Sequence, residues 1–332
     1  MALIGSLNSG ISALRNFARG LEVIGNNIAN VNSTAFKGSR TKYTDSFSQY
    51  LRQPAASPSD GNGSNSPAAQ IGLGVQIAGI QTSFLQGGVQ QTGQNTDLAI
   101  SGNGFFQVRN SQSNQFFATR AGDFRVDDRG YLTTNDGYRL QGLAGGYMTY
   151  EAELDTDGEL VITGTFVPAD EVGDLRIDFD ASFANGRLTN STGDTSEARL
   201  REILDKVPKM TAYSFLGNGN LNVQLSNGES FVGGKVLLMN FSDPTALVRE
   251  GANLFSGFDA AGVIGGVQMT EENNSPGNSG YGVILGGALE LSNVDLTEQF
   301  AEMITTQRSF QAGSRIITIS DEVLQEVVNL KR

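Results

Sequence analysis

The sequence predicts a mixed, mainly β protein. Antiparallel β domains fill the middle of the chain, and a helix at each end pairs with the other as a coiled coil. Three observations predict this class. Apolar residues recur at both ends with alternating spacings of four and three, which is typical of helices that pack through a narrow seam. In the middle, short apolar stretches with a period of two alternate with turn residues. Glycine is abundant at 42 of 332 residues and proline is rare at 7, a balance that suits many tight turns.

The first 30 residues predict a helix that ends in an asparagine-rich stretch. Asparagine is a poor helix former and tolerates left-handed backbone, so Asn26, Asn27 and Asn30 indicate where the helix ends. A turn follows, in which Phe36 is the expected anchor. The predicted seam of this helix consists of Leu7, Ile11, Leu14, Ala18, Leu21, Gly25 and Ile28, with Ile4, Phe17 and Ile24 beside it.

The segment from Leu291 to the last residue predicts a second, longer helix. Asp295 followed three residues later by Glu298 has the spacing of a capping box and predicts the helix start. The predicted seam of this helix consists of Leu296, Phe300, Met303, Gln307, Phe310, Ser314, Ile317, Asp321, Leu324 and Val328.

Both seams contain residues that weaken a coiled coil. Gly25 interrupts the first seam, and Gln307, Ser314 and Asp321 interrupt the second. The helices are therefore expected to be unfolded in a free subunit and to fold when subunits assemble. The alternative is that both helices simply pack on the β body of their own chain. Length argues against this, because a helix over residues 3–30 is about 40 Å long.

Composition along the chain predicts four regions. An acidic segment stands out, because residues 147–206 carry 14 Asp and Glu against 5 Lys and Arg. The predicted domains are a terminal helical domain of residues 1–31 and 291–332, a linker of residues 32–70, a core β domain of residues 71–146 and 207–290, and an inserted acidic outer β domain of residues 147–206.

Several local structures are predicted within these regions. Residues 39–52 are expected to be basic and only partly ordered, and a strand with a period of two begins at Ile71. Asn103-Gly104 predicts a hairpin that joins the strands on either side of it. The inserted domain is expected to contain a strand at residues 175–179 and a short helix at residues 196–206.

The composition excludes many functional classes. The chain has no Cys, His or Trp, so disulfides, thiolate metal sites and imidazole catalysis are excluded. The motifs contain no set of residues that would carry catalysis, so the expectation is a protein that is not an enzyme and has no cofactor or metal. A net charge of −12 argues against non-specific nucleic-acid binding. No apolar run approaches the roughly 20 residues of a membrane span, and no secretory signal opens the sequence, so neither membrane insertion nor a cleaved signal peptide is expected.

Three sequence blocks, in this order, resemble the family of bacterial flagellar rod and hook proteins. They cover both ends of the chain and the β region, roughly residues 1–145 and 207–332. The blocks are Ile24–Asn30 followed by Phe36-Lys37, then Val75–Ile80 with Asp97–Phe106, and finally Gly287–Leu296 followed by Met303-Ile304, Gln307-Arg308 and Phe310-Gln311.

The resemblance implies a structural role in the flagellum. Within the family the sequence is most similar to the hook subunit, which polymerises into a curved tube and transmits torque from rod to filament as a universal joint. The implied partners are copies of the same chain, the rod, hook cap and hook–filament junction proteins, and the flagellar export apparatus. The implied location is the hook or basal body outside the cell, reached without a cleaved signal. The distal rod subunit is the alternative, and a secreted adhesive β protein is a less favoured one.

Overall fold

The computed structural model describes residues 2–54, 65, 67–144, 147–154, 160–167, 171–177, 188–190, 205–266, 268–278 and 280–330. Within them, the α-helices are α1 Ala2–Ala29, α2 Phe258–Ala261, α3 Glu271–Asn274 and α4 Leu296–Leu330. The strands are β1 Ser39–Asp45, β2 Ser48–Arg52, β3 Ala69–Gly72, β4 Val75–Thr82, β5 Val89–Gln91, β6 Leu98–Ser101, β7 Phe105–Arg109, β8 Phe116–Thr119, β9 Arg125–Val126, β10 Leu132–Thr133, β11 Arg139–Ala144, β12 Tyr147–Leu154, β13 Leu160–Val167, β14 Glu171–Asp174, β15 Leu188–Asn190, β16 Met210–Phe215, β17 Asn220–Leu225, β18 Ser230–Val236, β19 Leu238–Phe241, β20 Val248–Gly251, β21 Leu254–Ser256, β22 Val263–Ile264, β23 Val283–Gly286 and β24 Ala288–Glu290.

The chain divides into two compact units. The helical unit comprises Met1–Asn32, Lys37–Leu85 and Asn293–Arg332, and the β unit comprises Ser33–Phe36 and Gln86–Ser292. Two predicted features fall largely outside the described residues: the low-complexity part of the linker at residues 55–64 and 66, and the short helix of the inserted domain up to residue 204. None of the helices in the described part of the chain is both long and apolar enough to cross a membrane.

The helical unit contains α1, α4 and two pairs of strands. The prediction that residues 39–52 are only partly ordered is wrong, because β1 pairs antiparallel with β4, and β2 pairs antiparallel with β3. The first pair lies against α1, where Asn16 Nδ2 donates to Val75 O at 2.6 Å and the rings of Phe17 and Tyr43 meet edge-on at 5.5 Å. Contact with a helix, which these local residues do not reveal, orders β1, and pairing with β3 orders β2.

The strand predicted to begin at Ile71 is two strands. The chain turns between β3 and β4 at Gly74, whose φ of 126° is outside the range of ordinary L residues. A Cβ at Gly74 would also lie against the Ser12 side chain of α1, so both the backbone conformation and the close approach to α1 require glycine at this position. Apolar residues keep a period of two across this turn, so the sequence pattern does not reveal that the strand is broken.

The β unit is built on one large sheet. Among the described residues, thirteen strands belong to it, and its main path runs β16-β17-β18-β11-β7-β8-β21-β20. All pairings in it are antiparallel, as predicted. β12 forms a separate sheet with β13 and β15, and its pairing with β15 is parallel. The main core is apolar and includes Leu98, Ile100, Phe106, Val108, Phe124, Leu132, Leu140, Leu221, Val223, Val236, Leu238 and Ile284.

The structure contradicts two local predictions in the β unit. Residues Asn103-Gly104 do turn the chain, but β6 and β7 do not form a hairpin, because β6 pairs with the distant β23 and β7 pairs with β8, β11 and β19. In the predicted inserted domain, β14 pairs with β11 of the main sheet instead of standing apart. Leu175 and Ile177, assigned to that domain as a strand, are buried in the main core just after β14.

Asp174, at the end of β14, is the centre of a polar cluster in the main sheet. Its carboxylate accepts two hydrogen bonds from Arg109, at 3.0 and 2.6 Å, one from Arg139 at 2.9 Å and one from Gln141 at 2.6 Å. Burial raises the pKa of Asp174, but the hydrogen bonds from Arg109, Arg139 and Gln141 outweigh that effect and lower the pKa below its usual value. The cluster therefore stabilises the ionised carboxylate.

The variant Asp174→Asn should lower the free energy of unfolding by about 2–3 kcal/mol at neutral pH, because two arginines lose their counter-charge. The stabilisation is present above the unfolded pKa of about 4 and is lost as pH falls through the lowered folded pKa. Urea unfolding at several pH values tests this. The variant should lose less stability than the parent protein on acidification, and equal losses would contradict the prediction.

Candidate assembly interface

Helices α1 and α4 lie side by side and run antiparallel. At one end Asn27 Nδ2 donates to Gln299 Oε1 at 2.9 Å, and at the other the hydroxyls of Ser6 and Ser320 are 3.3 Å apart. The two ends of the sequence thus lie together in the helical unit.

Small residues make the contact between the helices. The buried residues of α4 are Thr306, Gly313 and Ser320, which are spaced by one heptad. A Cβ at Gly10 of α1 would lie 3.1 Å from Ile317 Cγ1 and 3.4 Å from Gly313 O. Because glycine carries no side chain, the two backbones approach closely here. The heptad period was predicted, and the fully buried residues of α4 are small, while Ile317 of α4 and Leu14 of α1 lie against the glycines of the facing helix.

The predicted seam of α4 forms only part of the contact with α1. Ile317 faces Gly10 of α1, and Ile317 and Met303 are half-buried, but the other predicted seam residues of α4 are exposed in the single chain. These exposed residues are Leu296, Phe300, Gln307, Phe310, Ser314, Asp321, Leu324 and Val328.

On α1 the predicted residues lie in mixed surroundings. Ile24 and Asn27 are buried, and Ile11 and Asn26 are exposed. The other predicted residues of this region that are half-buried are Leu7, Leu14, Leu21 and Asn30. The buried residues lie on the side of α1 that faces α4 and the first pair of strands.

Helix α4 leaves large apolar residues exposed near its start and along its C-terminal half. Phe300 is 50% exposed beside Ile304, and a second group extends from Ile316 to the end of the helix. Scattered apolar residues on a surface are ordinary, but a continuous row of large ones marks an interaction surface. We call this row the α4 stripe: Phe300, Ile304, Ile316, Ile319, Val323, Val327 and Leu330.

Asn27 joins the end of α1 to the chain that follows it. Its amide donates to Ser39 O at 2.8 Å, and its Oδ1 accepts from the Ser39 N–H at 2.9 Å. Together with the bond to Gln299, this pairing uses both ends of the side-chain amide. The asparagine-rich stretch is thus more than a helix stop, because one member fixes β1 and α4 against α1.

Asn293 plays the corresponding part at the start of α4, and sequence reasoning did not single it out. Its Oδ1 accepts from the Gly38 N–H at 2.8 Å, and its amide donates to Ser83 O at 2.8 Å and to Leu85 O at 3.1 Å. Lys37 is buried and also donates to Leu85 O, at 2.8 Å. The only sequence signal for the role of Asn293 was its position two residues before the predicted N-cap, Asp295.

Asp295 caps α4 as predicted. Its carboxylate accepts from the backbone N–H groups of Thr297 at 2.7 Å and Glu298 at 3.3 Å. These backbone hydrogen bonds lower the pKa of the Asp295 carboxyl below its usual value.

The pKa of the Tyr43 phenol on β1 is raised. Burial of the phenol is the main cause, and the negative charge of Glu302 adds to it.

Phe36 is an anchor, and it belongs to the β unit. Its side chain is buried, and the Arg249 guanidinium lies 5.0 Å from the centre of its ring. The backbone around it is held as well, because Asn253 Nδ2 donates to Thr34 O at 2.8 Å and the Ala35 N–H donates to Glu290 O at 2.8 Å. The predicted role of Phe36 as an anchor is confirmed.

Glu290 and Arg120 form a buried ion pair in the β unit that sequence reasoning missed. Arg120 Nη1 lies 3.4 Å from Glu290 Oε2, and both side chains are almost fully buried. Glu290 Oε1 also accepts from the Gly87 N–H at 2.9 Å, and Arg120 donates to Gly102 O at 2.8 Å. Burial lowers the pKa of Arg120, while the charge of Glu290 opposes this effect. No sequence pattern marks two charges separated by 170 positions.

The described residues bring together no metal-ligand set. Among them, no three His, Cys, Asp or Glu side chains meet as a metal site would require. The features that stand out are surfaces and anchoring residues, and these are suited to joining protein to protein.

Three family models match the chain in sequence order. "Flagella basal body rod protein" matches residues 7–37, and "Flagellar hook protein FlgE/F/G D1 domain" matches residues 99–181. "Flagellar basal body rod FlgEFG protein C-terminal" matches residues 285–330. The first segment contains Asn27 and Phe36, and the last contains Asn293 and α4, so the matches cover the anchoring residues of both ends.

The flagellar basal-body rod protein FlgG of Bacillus subtilis is 34% identical over 330 residues, covering 99% of this chain and 100% of that protein. The chain belongs to the family of flagellar rod and hook proteins. The flagellar hook protein FlgE of Borreliella burgdorferi is 28% identical, and that of Escherichia coli is 24% identical; each is covered completely. A crystal structure of Helicobacter pylori flagellar hook protein FlgE2 aligns with 59% of this chain and 98% of that one, at 10% identity and a TM-score of 0.34, too low to bear on the fold.

Members of the flagellar rod and hook family are structural proteins. The relatives include rod proteins and hook proteins that align over nearly the whole of this chain, so membership alone supports both assignments equally. The family also gives the chain a flagellar location.

Proposed function

We propose that this chain is an axial subunit of the flagellum that polymerises into a tube through its terminal helices. The observation that carries the proposal is the α4 stripe, a long apolar surface that a single subunit leaves in water. Burying such a surface between subunits is the main driving force for stable assembly. Phe300 lies in this stripe, and Phe310, another predicted interface residue, is exposed outside it. We also propose that α1 and α4 pair as a coiled coil, which would give each subunit a rod that packs against its neighbours.

The hook subunit and the distal rod subunit are the two assignments of this role. The hook assignment follows from the sequence blocks around Val75–Ile80 and from the acidic segment 147–206, which we propose lies on the outer surface of the tube. The rod assignment is supported by the FlgG relative that matches this chain over its full length. Both give the chain the same neighbours, namely its own copies and other axial proteins of the rod, hook cap and hook–filament junction. Both also imply delivery by the flagellar export apparatus without a cleaved signal, and neither requires catalysis.

Immunogold electron microscopy of isolated hook–basal bodies, with an antibody raised to residues 147–206, tests the proposal. Label along the curved segment outside the envelope assigns the chain to the hook. Label confined to the straight shaft assigns it to the distal rod. If both structures remain unlabelled, the axial role is wrong and the secreted adhesive protein becomes the better interpretation.

The helices of a free subunit should be unfolded in solution. Most large apolar residues of α4 stay exposed in the single chain, so pairing with α1 buries only part of its apolar surface, and an isolated helix gains little from its own hydrogen bonds. In a dilute monomer, amide hydrogens of residues 3–30 should exchange rapidly, whereas those of β7 and β8 in the core should be protected. Protection of residues 3–30 equal to that of the core strands would contradict this prediction.

A further inference from the structure

The ribbon formed by β2 and β3 is the least covered secondary structure of the helical unit. Phe47, at its entrance, is 84% exposed, and Leu51 and Ile71 are 64% and 56% exposed. Every residue of β2 is exposed. The neighbouring pair β1 and β4 differs, because one of its faces lies on α1. We call Phe47, Leu51 and Ile71 the ribbon surface.

A two-stranded ribbon of this kind requires a partner. Two strands without a packed face are marginal in water, and unpaired strand edges with large apolar residues promote association. The pairing of Gln49 with Ile71 places Phe47 and Ile71 on the same face. In the described part of the helical unit, no element covers that face, which leaves it open to another molecule.

If the protein forms a tube as proposed, symmetry restricts which surface of another subunit can bind the ribbon surface. If the ribbon surfaces of two subunits bound each other, the contact would be two-fold and would close on itself as a dimer. A tube grows only through contacts between two different surfaces of successive copies. The ribbon surface therefore meets another exposed apolar surface of a second copy.

The C-terminal half of the α4 stripe has the chemistry to be that surface. At 100° per residue, Ile316, Ile319, Val323 and Val327 fall on one side of the helix, and Glu326 borders them. Residues 316–330 contain Asp321, Glu322 and Glu326 and no basic residue before Lys331 and Arg332. Arg52 is the charged residue of β2 and β3, so the ribbon carries a charge opposite to the three carboxylates of residues 316–330, which Arg315 precedes.

We infer that the ribbon surface of one subunit packs on the C-terminal half of the α4 stripe of a neighbouring subunit. This inference rests on the proposed function and specifies which surfaces meet in the tube. Arg52 of the ribbon supplies positive charge next to Glu322 and Glu326 of the neighbour. The contact fixes the ribbon in the polymer and leaves it uncovered in the free chain.

The chain has no cysteine, so single cysteines can be placed without further changes. Subunits carrying Leu51→Cys are mixed with subunits carrying Val323→Cys, assembled, and treated with a short bis-maleimide reagent. A cross-linked dimer should form in assembled tubes. The matched control mixes Ile80→Cys with Val323→Cys, because Ile80 is 55% exposed on β4 but lies outside the ribbon surface. The control should give much less dimer.

Each outcome decides the inference. If tubes form but the Leu51 and Val323 pair cross-links no better than the control, the inference is wrong and the proposed function stands. If the unaltered chain forms no tubes under any condition, both fail. If a chain carrying both cysteines, assembled into tubes with an excess of unaltered chain, cross-links within itself, the ribbon is covered by its own helix and the inference is wrong. As a second support, Arg52→Glu should raise the critical concentration for assembly, and Glu326→Arg should restore it in part.

Discussion

The variant Glu290→Gln is expected to lower the free energy of unfolding by about 3 kcal/mol or more, because it leaves the Arg120 guanidinium buried without its counter-charge. Both side chains are almost fully shielded from water, and Arg120 Nε has no hydrogen-bond partner among the described residues. Arg120 therefore depends on Glu290 for most of what offsets its desolvation. Urea unfolding followed by circular dichroism of the β unit measures the effect.

The matched control for this variant is Glu271→Gln. Glu271 forms an ion pair with Lys235 at 3.0 Å, but its side chain is 59% exposed. Exposed pairs contribute about 1 kcal/mol at most, so this variant should be nearly neutral. If Glu290→Gln were as mild as Glu271→Gln, the buried pair would not be a determinant of stability.

A double variant separates the pair from its surroundings. Arg120→Met combined with Glu290→Leu removes both buried charges at once and should be more stable than either single variant. Full recovery is not expected, because the Gly87 N–H loses the Glu290 carboxylate as its acceptor. A double variant less stable than both singles would show that the two charges contribute independently.

Local signals were enough to predict the helices. α1 ends at Ala29, immediately before the last of the three predicted stop asparagines, and α4 begins directly after the Asp295 cap. Both boundaries depend on residues within one or two turns of the helix end, and such short-range chemistry can be read from a sequence. The antiparallel class of the main sheet was predictable for the same reason, from closely spaced turns.

Non-local pairing was not predictable. The turn at Asn103-Gly104 is where the sequence places it, but which strand β6 joins is decided by β23, almost two hundred residues away in the chain. The contact row Thr306, Gly313 and Ser320 escapes a search for apolar periodicity because its members are small. Asn293 and Glu290 escape it because a buried polar side chain is recognisable only once its partners are in place.

The variants Phe300→Asp and Phe310→Asp should each abolish polymerisation and leave the melting transition of the β unit unchanged. In the single chain both rings are partly in water, 50% and 37% exposed, so a carboxylate there costs the free subunit little. In an assembled tube the same carboxylate would be buried against apolar side chains. A penalty of several kcal/mol per contact then raises the critical concentration by orders of magnitude.

The control is Phe116→Asp, since Phe116 lies on β8 of the β unit and is 40% exposed, close to the two helix phenylalanines. It should polymerise normally, which shows that the loss depends on α4 and not on an added charge alone. Sedimentation and electron microscopy measure assembly, and circular dichroism follows the β transition. If the helix variants lose the β transition together with assembly, α4 packs on the core of its own chain. In that case the exposed stripe is not the surface that joins subunits, and the proposed mode of assembly is wrong.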